Sequence, residues 1–313
     1  MDSDALGDLL RALRLRARID LHAHFCADWA VDTSGAKQAS FHVIAHGSCW
    51  MHTPAADSPV PLASGDMVVF PHDAPHVLRP SSIPSGYGTK LNHPMHAPPE
   101  GAYTTLICGH FDFGQHVWNP LLDAMPPMLI MRGGTGEDSA LSDSLLSLMV
   151  GEARDGSIGS SVVLDKLAET LFVHVLRAHL RESPVPRGFL AALADRALGK
   201  ALHAIHQSPD TRWTVCDLAR CGGMSRSAFA ERFQRLVGMP PMHYIAAWHM
   251  QRAMDMLASI EISVAQVAAS CGYETEAAFA KAFKRHFGMG PGAVRREHGC
   301  SVPSIRSSVS AND

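Results

Sequence analysis

Thirteen of the nineteen histidines in this 313-residue chain precede residue 187, and two groups there have the spacing of metal ligands. His72 and His76 stand four apart after an apolar run, while Cys108 and His110 stand two apart, which on a strand puts them on one face. Imidazole and thiolate are the ligands of zinc and other soft divalent metals, so neighbouring strands would let the four close a tetrahedral site. The alternative stays open: His76 is a satisfied histidine at the mouth of a β-structure and the others are exposed. A second constellation, His42 with Phe41, Val43, Trp50 and Phe70, would line a pocket for an organic effector. His22 and His24 are further pocket candidates, and His93 and His96 fall in a proline-rich loop expected to face solvent.

The basic side chains follow a different pattern. An internal repeat of period 50 pairs Ala219 with Ala269, Cys221 with Cys271, Gly222 with Gly272, Phe229 with Phe279, Phe233 with Phe283, Arg235 with Arg285, Gly238 with Gly288 and Pro241 with Pro291. Each copy reads as a helix (214–221; 263–271), a glycine turn and a second helix (225–237; 275–287), with Ser225 and Thr275 placed as N-caps. The phenylalanines, at three- and four-residue spacing, must point inward. The opposite faces offer Arg226, Ser227, Arg232 and Arg235 on one helix, and Thr275, Glu276, Lys281, Lys284 and Arg285 on the other. A helix-turn-helix presents such a face to a major groove, where Arg reads guanine and Lys or Ser holds phosphate. Base reading is therefore expected mainly from Arg226, Arg232 and the start of the second presented helix. Residues 241–257 read as one continuous helix, roughly 25 Å long at about 1.5 Å per residue. Such a strut suits two recognition helices in grooves about 34 Å apart.

Upstream of the repeat, short apolar runs cut by turn residues (40–45, 67–70, 103–113) indicate an antiparallel sandwich or small barrel. After Asn119 and Pro120 the period changes: Leu141, Leu145, Leu148 and Met149, then Val163, Leu167, Leu171, Val175 and Leu176, mark two amphipathic helices. That stripe exceeds what a connector needs, and two-fold pairing through residues 139–181 into a homodimer is predicted; packing of both helices on their own β-structure is the alternative. Prolines in 183–187 mark a hinge. The chain thus divides into a β-rich domain (1–130), a helical connector (131–186), an all-α domain (187–300) and a serine-rich tail (301–313) expected to be disordered. The fold class is α+β.

Composition, 46% apolar and 18% charged, excludes a largely disordered chain. No run of about 18 uncharged apolar residues occurs, and the first twenty residues carry four arginines without a signal-like block, so a soluble, cytoplasmic protein with no membrane partner is expected. Seven scattered cysteines without a C-x-x-C pair indicate neither a disulfide framework nor a zinc ribbon. The net charge of −3 hides an asymmetry: residues 1–186 hold 12 Lys and Arg against 20 Asp and Glu, residues 187–300 hold 14 against 9. One acidic and one basic half is the pattern of a chain in which a single domain meets a polyanion.

Residues 238–248 (Gly-Met-Pro-Pro-Met-His-Tyr-Ile-Ala-Ala-Trp) and 272–291 resemble the two halves of the AraC/XylS-type DNA-binding domain. His249 stands where that family usually has Arg, and Val294 where it usually has an aromatic. The resemblance implies a transcriptional regulator of double-stranded promoter DNA, usually an activator touching RNA polymerase. Residues 65–76, with Gly65, Pro71 and His76, are similar to the second cupin motif, departing at Asp73 where glycine is frequent. The first cupin motif is not recognisable around residues 34–47, so the cupin iron site is not carried over. A cupin-like β-barrel sensor for a small-molecule or metal effector is implied, with no catalytic residue. The competing reading, a metal-dependent cupin enzyme fused to a helical domain, lacks a full ligand set and leaves the repeat unexplained.

Overall fold

A computed structural model of the chain describes residues 4–83, 100–113, 119–134, 139–182, 188–257 and 262–299. His93, His96, the 183–187 hinge and the 301–313 tail lie outside the described residues. The chain forms two compact units: residues 10–114 with 120–191, and residues 192–313 with 1–9 and 115–119. Helix α1 (Ala5–Ala12) runs across that division.

The first unit holds strands β1 (Arg16–Phe25), β2 (Ala39–His46), β3 (Ser48–His52), β4 (Val60–Ala63), β5 (Met67–Phe70), β6 (Val77–Arg79), β7 (Thr104–Asp112) and β8 (Leu129–Met131), with the short helix α2 (Pro120–Asp123) before β8. They make an antiparallel sheet ordered β1-β7-β2-β5-β8 and a second ordered β4-β3-β6. The two ladders share one core: Ile44, Val68, Phe70, Leu106 and Cys108 of the larger sheet meet Cys49, Met51, Leu62 and Leu78 of the smaller. Register decides which side chains enter it. Ser40 and His42 pair with His110 and Cys108 of β7 and face this interior, so Phe41 and Val43 face the other way. Phe41 stacks on Phe111 (4.6 Å), which in turn meets Phe172 (4.6 Å) of helix α4 (Ser160–Glu182). On β3 the core takes Cys49 and Met51 and leaves Trp50 half-buried on the outer side. The expected pocket of Phe41, His42, Val43, Trp50 and Phe70 is therefore not one pocket: alternation puts only His42 and Phe70 inside.

Helix α3 (Ser139–Asp155) and α4 pack on each other, and α4 also packs on β1 and β8. β1 is an edge strand, and α4 covers its free amides: Asp165 accepts from Ile19 N (3.2 Å) and Glu169 from Ala17 N (3.3 Å). The apolar stripe of the connector is in fact two stripes. Leu164, Ala168, Leu171, Phe172, Val175 and Leu176 are buried within their own unit, whereas Leu141, Leu148, Val162 and Val163 remain exposed.

The second unit is helical: α5 (Gly188–Ala194) leads into it, followed by α6 (Arg196–Gln207), α7 (Val215–Cys221), α8 (Arg226–Val237), α9 (Pro241–Leu257), α10 (Val264–Ser270), α11 (Glu276–Phe287) and α12 (Pro291–Gly299). Pro241 is tolerated because it opens its helix, and Tyr244, Ile245, Trp248, Met250, Ala253 and Leu257 form the buried face of α9. Val294 is buried with Phe279 and Phe283 in the core of the second repeat, taking the place of the expected aromatic. Among the described residues no helix is long and apolar enough to cross a membrane.

Candidate functional site

In the first repeat Thr214 and Asp217 form a reciprocal capping box that starts α7. Gly223 takes a left-handed φ of +65°, and Ser225 then accepts from Ala228 N (3.4 Å) to start α8. Phe229 and Phe233 are fully buried, which fixes the rotation of α8 about its axis and turns Arg226, Ser227 and Arg235 to solvent. The second repeat uses the same devices. Ser263 and Gln266 box the start of α10, Gly272 turns at φ +78°, and Thr275 accepts from Ala278 N (3.2 Å). Buried Phe279 and Phe283 leave Thr275, Glu276, Lys281, Lys284 and Arg285 exposed. Both α8 and α11 end at a left-handed glycine, Gly238 (φ +84°) and Gly288 (φ +76°), as helix C-termini prefer.

Arg232 sits differently from its neighbours. Its guanidinium donates to the carboxylate of Asp195, whose other oxygen caps α6 by accepting from Ala197 N (3.0 Å) and Leu198 N (2.9 Å). The arginine expected to read bases is thus engaged as a brace between α8 and the start of α6. Spacing did not reveal this, because Asp195 lies 37 residues upstream. Between α6 and α9 His206 Nε2 shares a hydrogen bond with the Tyr244 hydroxyl (2.7 Å) and packs on Trp248 (4.4 Å between ring centres). Burial pushes His206 down to about 3, so it is neutral there.

In the β-rich unit His76 Nδ1 donates to the Ala74 carbonyl (2.7 Å), which leaves its Nε2 as acceptor. His42 Nε2 donates to it at 2.8 Å, and Thr33 Oγ1 lies 3.2 and 3.1 Å from the two nitrogens. Burial lowers both pKa values, so this is a neutral pair, stacked on Phe70 through His76 (3.7 Å). The four candidate zinc ligands do not converge. His72 reaches the Met125 carbonyl (3.1 Å), and His110 Nδ1 donates to Asp20 (2.6 Å). Cys108 is held in the core, where burial raises its thiol well above the ordinary range. Among the described residues no group of three or more His, Cys, Asp or Glu side chains stands where it could hold one ion. Asp73, the departure from the cupin motif, has φ +55°, a conformation glycine adopts without strain. Its carboxylate accepts from Gly35 N (3.0 Å) and Lys37 N (2.6 Å), contacts a glycine could not make.

Residues 4–181 match the family described as Cupin, and residues 218–297 match the helix-turn-helix domain family. An AraC-like transcription regulator of Streptomyces lividans is 31% identical over 299 residues, covering 94% of this chain and 98% of that one. The chain belongs to the AraC-type transcriptional regulators that carry an N-terminal cupin domain. Among other members of this group, the HTH-type transcriptional regulator AlkR of Acinetobacter baylyi is 28% identical over 310 residues, covering 94% of this chain and 99% of its own. The solved DNA-binding domain of AdpA in complex with a target DNA is 27% identical over 34% of this chain and 96% of that chain, with a TM-score of 0.32. As an AraC-type transcriptional regulator the chain is a DNA-binding protein, and the helix-turn-helix match falls on its duplicated repeat.

Proposed function

We propose that this AraC-type regulator is a cytoplasmic transcription activator whose two recognition helices enter successive major grooves of promoter DNA, under control of a small-molecule effector in the cupin unit. One observation carries the reading. Each repeat uses its aromatic face for its own core and its capping residues for its own helix starts, so the exposed polar faces of α8 and α11 are left for a partner. Arg226 and Ser227 open α8, and Thr275 and Glu276 open α11, the end of a recognition helix that contacts base edges. Lys281, Lys284, Arg285 and Arg235 follow on the exposed faces and hold phosphate. A homodimer formed through the exposed α3 and α4 residues brings two such readers to one promoter, and contact with RNA polymerase makes the bound dimer an activator.

The test is binding of the full chain to genomic promoter fragments selected for affinity, measured against salt. Affinity falls steeply with salt in the wild type; Lys284→Ala weakens binding to all sites alike and lowers the salt slope by about 1. Arg226→Ala relaxes preference at one base position by about 1–3 kcal/mol. Two folded variants that bind like the wild type would overturn the assigned faces.

A further inference from the structure

Between the end of β2 and α3 lies a cleft of about 340 Å³, floored by Val43, Ile44 and Ala45 and closed at one side by the Ser64 and Gly65 turn. From α3 it is lined by positions 143, 146, 147, 150, 151 and 154. Those positions recur at three and four, so one continuous face of the helix stands over the sheet with space beneath it. Leu146 is buried, and the accessible middle of that face is Ser147, Val150 and Gly151.

Two features point to an occupant. Gly151 lies inside α3, where glycine weakens a helix relative to alanine, yet a Cβ built on it meets no atom within 4 Å. Its backbone angles do not demand glycine, and no neighbour of the described chain forbids a side chain; what the glycine preserves is the cleft. Second, the two ends differ in charge. Asp143, at one end, is already engaged by Gly134 N (3.1 Å). Arg154, at the other, is exposed and makes no ion pair among the described residues. Eleven residues of helix separate the two, about 16 Å, too far to neutralise each other. Beside Arg154 stand His22 and His24, the latter bonded to Thr105 Oγ1 (2.8 Å). Burial first, and then neighbouring positive charge including Arg154, hold both histidines below their ordinary pKa, a repulsion that an anion would relieve.

We propose that this cleft binds a small organic carboxylate, its short apolar body over the accessible Ala45, Val150 and Gly151 and its carboxylate on Arg154. This rests on the reading of the cupin unit as the sensor and relocates the effector from the packed interior to the sheet's outer side. The ligand contacts strand and helix at once, so its binding changes how firmly α3 is held.

The experiment is calorimetric titration of the full chain with octanoate and with 1-octanol, with promoter binding measured in parallel. Octanoate binds about tenfold more tightly than the alcohol, the difference expected of one charge-assisted contact. Arg154→Gln removes that difference, while Gly151→Leu, or Ser147→Leu should the first fail to fold, removes binding of both. Equal affinity for acid and alcohol, or no octanoate binding at all, overturns the proposal. Octanoate binding that survives all three variants also overturns it but leaves the sensor reading intact, whereas octanoate binding as expected with promoter affinity unchanged by it would strike at that reading alone.

Discussion

At the scale of single residues, the Asp195 carboxylate does two jobs at once: it caps α6 and holds Arg232 of α8. Asp195→Asn keeps the cap and weakens the brace; Asp195→Ala loses both and should cost about 2–3 kcal/mol, roughly 1 from the cap and the rest from the arginine left unpaired. The half-exposed guanidinium is partly screened by water, which holds the second part down. Urea denaturation of the two variants checks the order. His206 supplies a pH dependence with a definite sign. Its folded pKa, about 3, lies below the unfolded value near 6.5, so the unfolded chain binds the proton first and stability falls as pH drops below about 6.5. Between pH 7.5 and 5 this single proton should remove about 2 kcal/mol from the helical unit, and His206→Gln should flatten the slope in denaturation series across that range.

At the scale of elements, α3 and α4 each have a buried face and a free one, and the two faces predict opposite mutational behaviour. Leu171→Ala, in the core, should cost about 2–5 kcal/mol, whereas Leu148→Ala, 60% exposed, should cost under about 0.5. If the free face pairs two copies, Leu148→Glu with Val163→Glu should give monomers in sedimentation at micromolar concentration without lowering the melting temperature. Gly151→Ala should stabilise α3 by up to about 1 kcal/mol, read as a raised melting temperature. Legibility in the sequence divides along the same lines. Helix starts and stops in the repeat were visible because caps and glycines act within three or four residues: Thr214, Ser225, Ser263 and Thr275 all stand at N-caps. The β-rich unit was legible as a class only. Which of Phe41, His42 and Val43 enters the core depends on pairing with β7 more than sixty residues away, and the His42 and His76 pair is likewise made by the sheet. The cleft under α3 had no local signal except a glycine in an amphipathic helix.

At the scale of the whole molecule, acidic and basic character separate along the chain, and electrostatic attraction to DNA is supplied by residues 187–300 despite the net charge of −3. The phosphate contacts proposed for Arg235, Lys281, Lys284 and Arg285 should make association fast at low salt and slow it as salt is added, readable in stopped-flow mixing with a labelled promoter fragment. The doubled reader has a further consequence, which concerns how such a protein changes over generations. Fold-determining positions in each repeat, the two buried phenylalanines, the capping hydroxyl and the closing glycine, are separate from the exposed positions that face outward, except at Thr275, which is both cap and exposed. A substitution at Arg226 or Lys281 therefore leaves folding almost untouched, since surface changes away from such features usually fall within about 0.5 kcal/mol. With two repeats, one can keep its grip on an ancestral half-site while the other drifts toward a new one, so a lineage can rewire its promoters without passing through a form that neither folds nor binds.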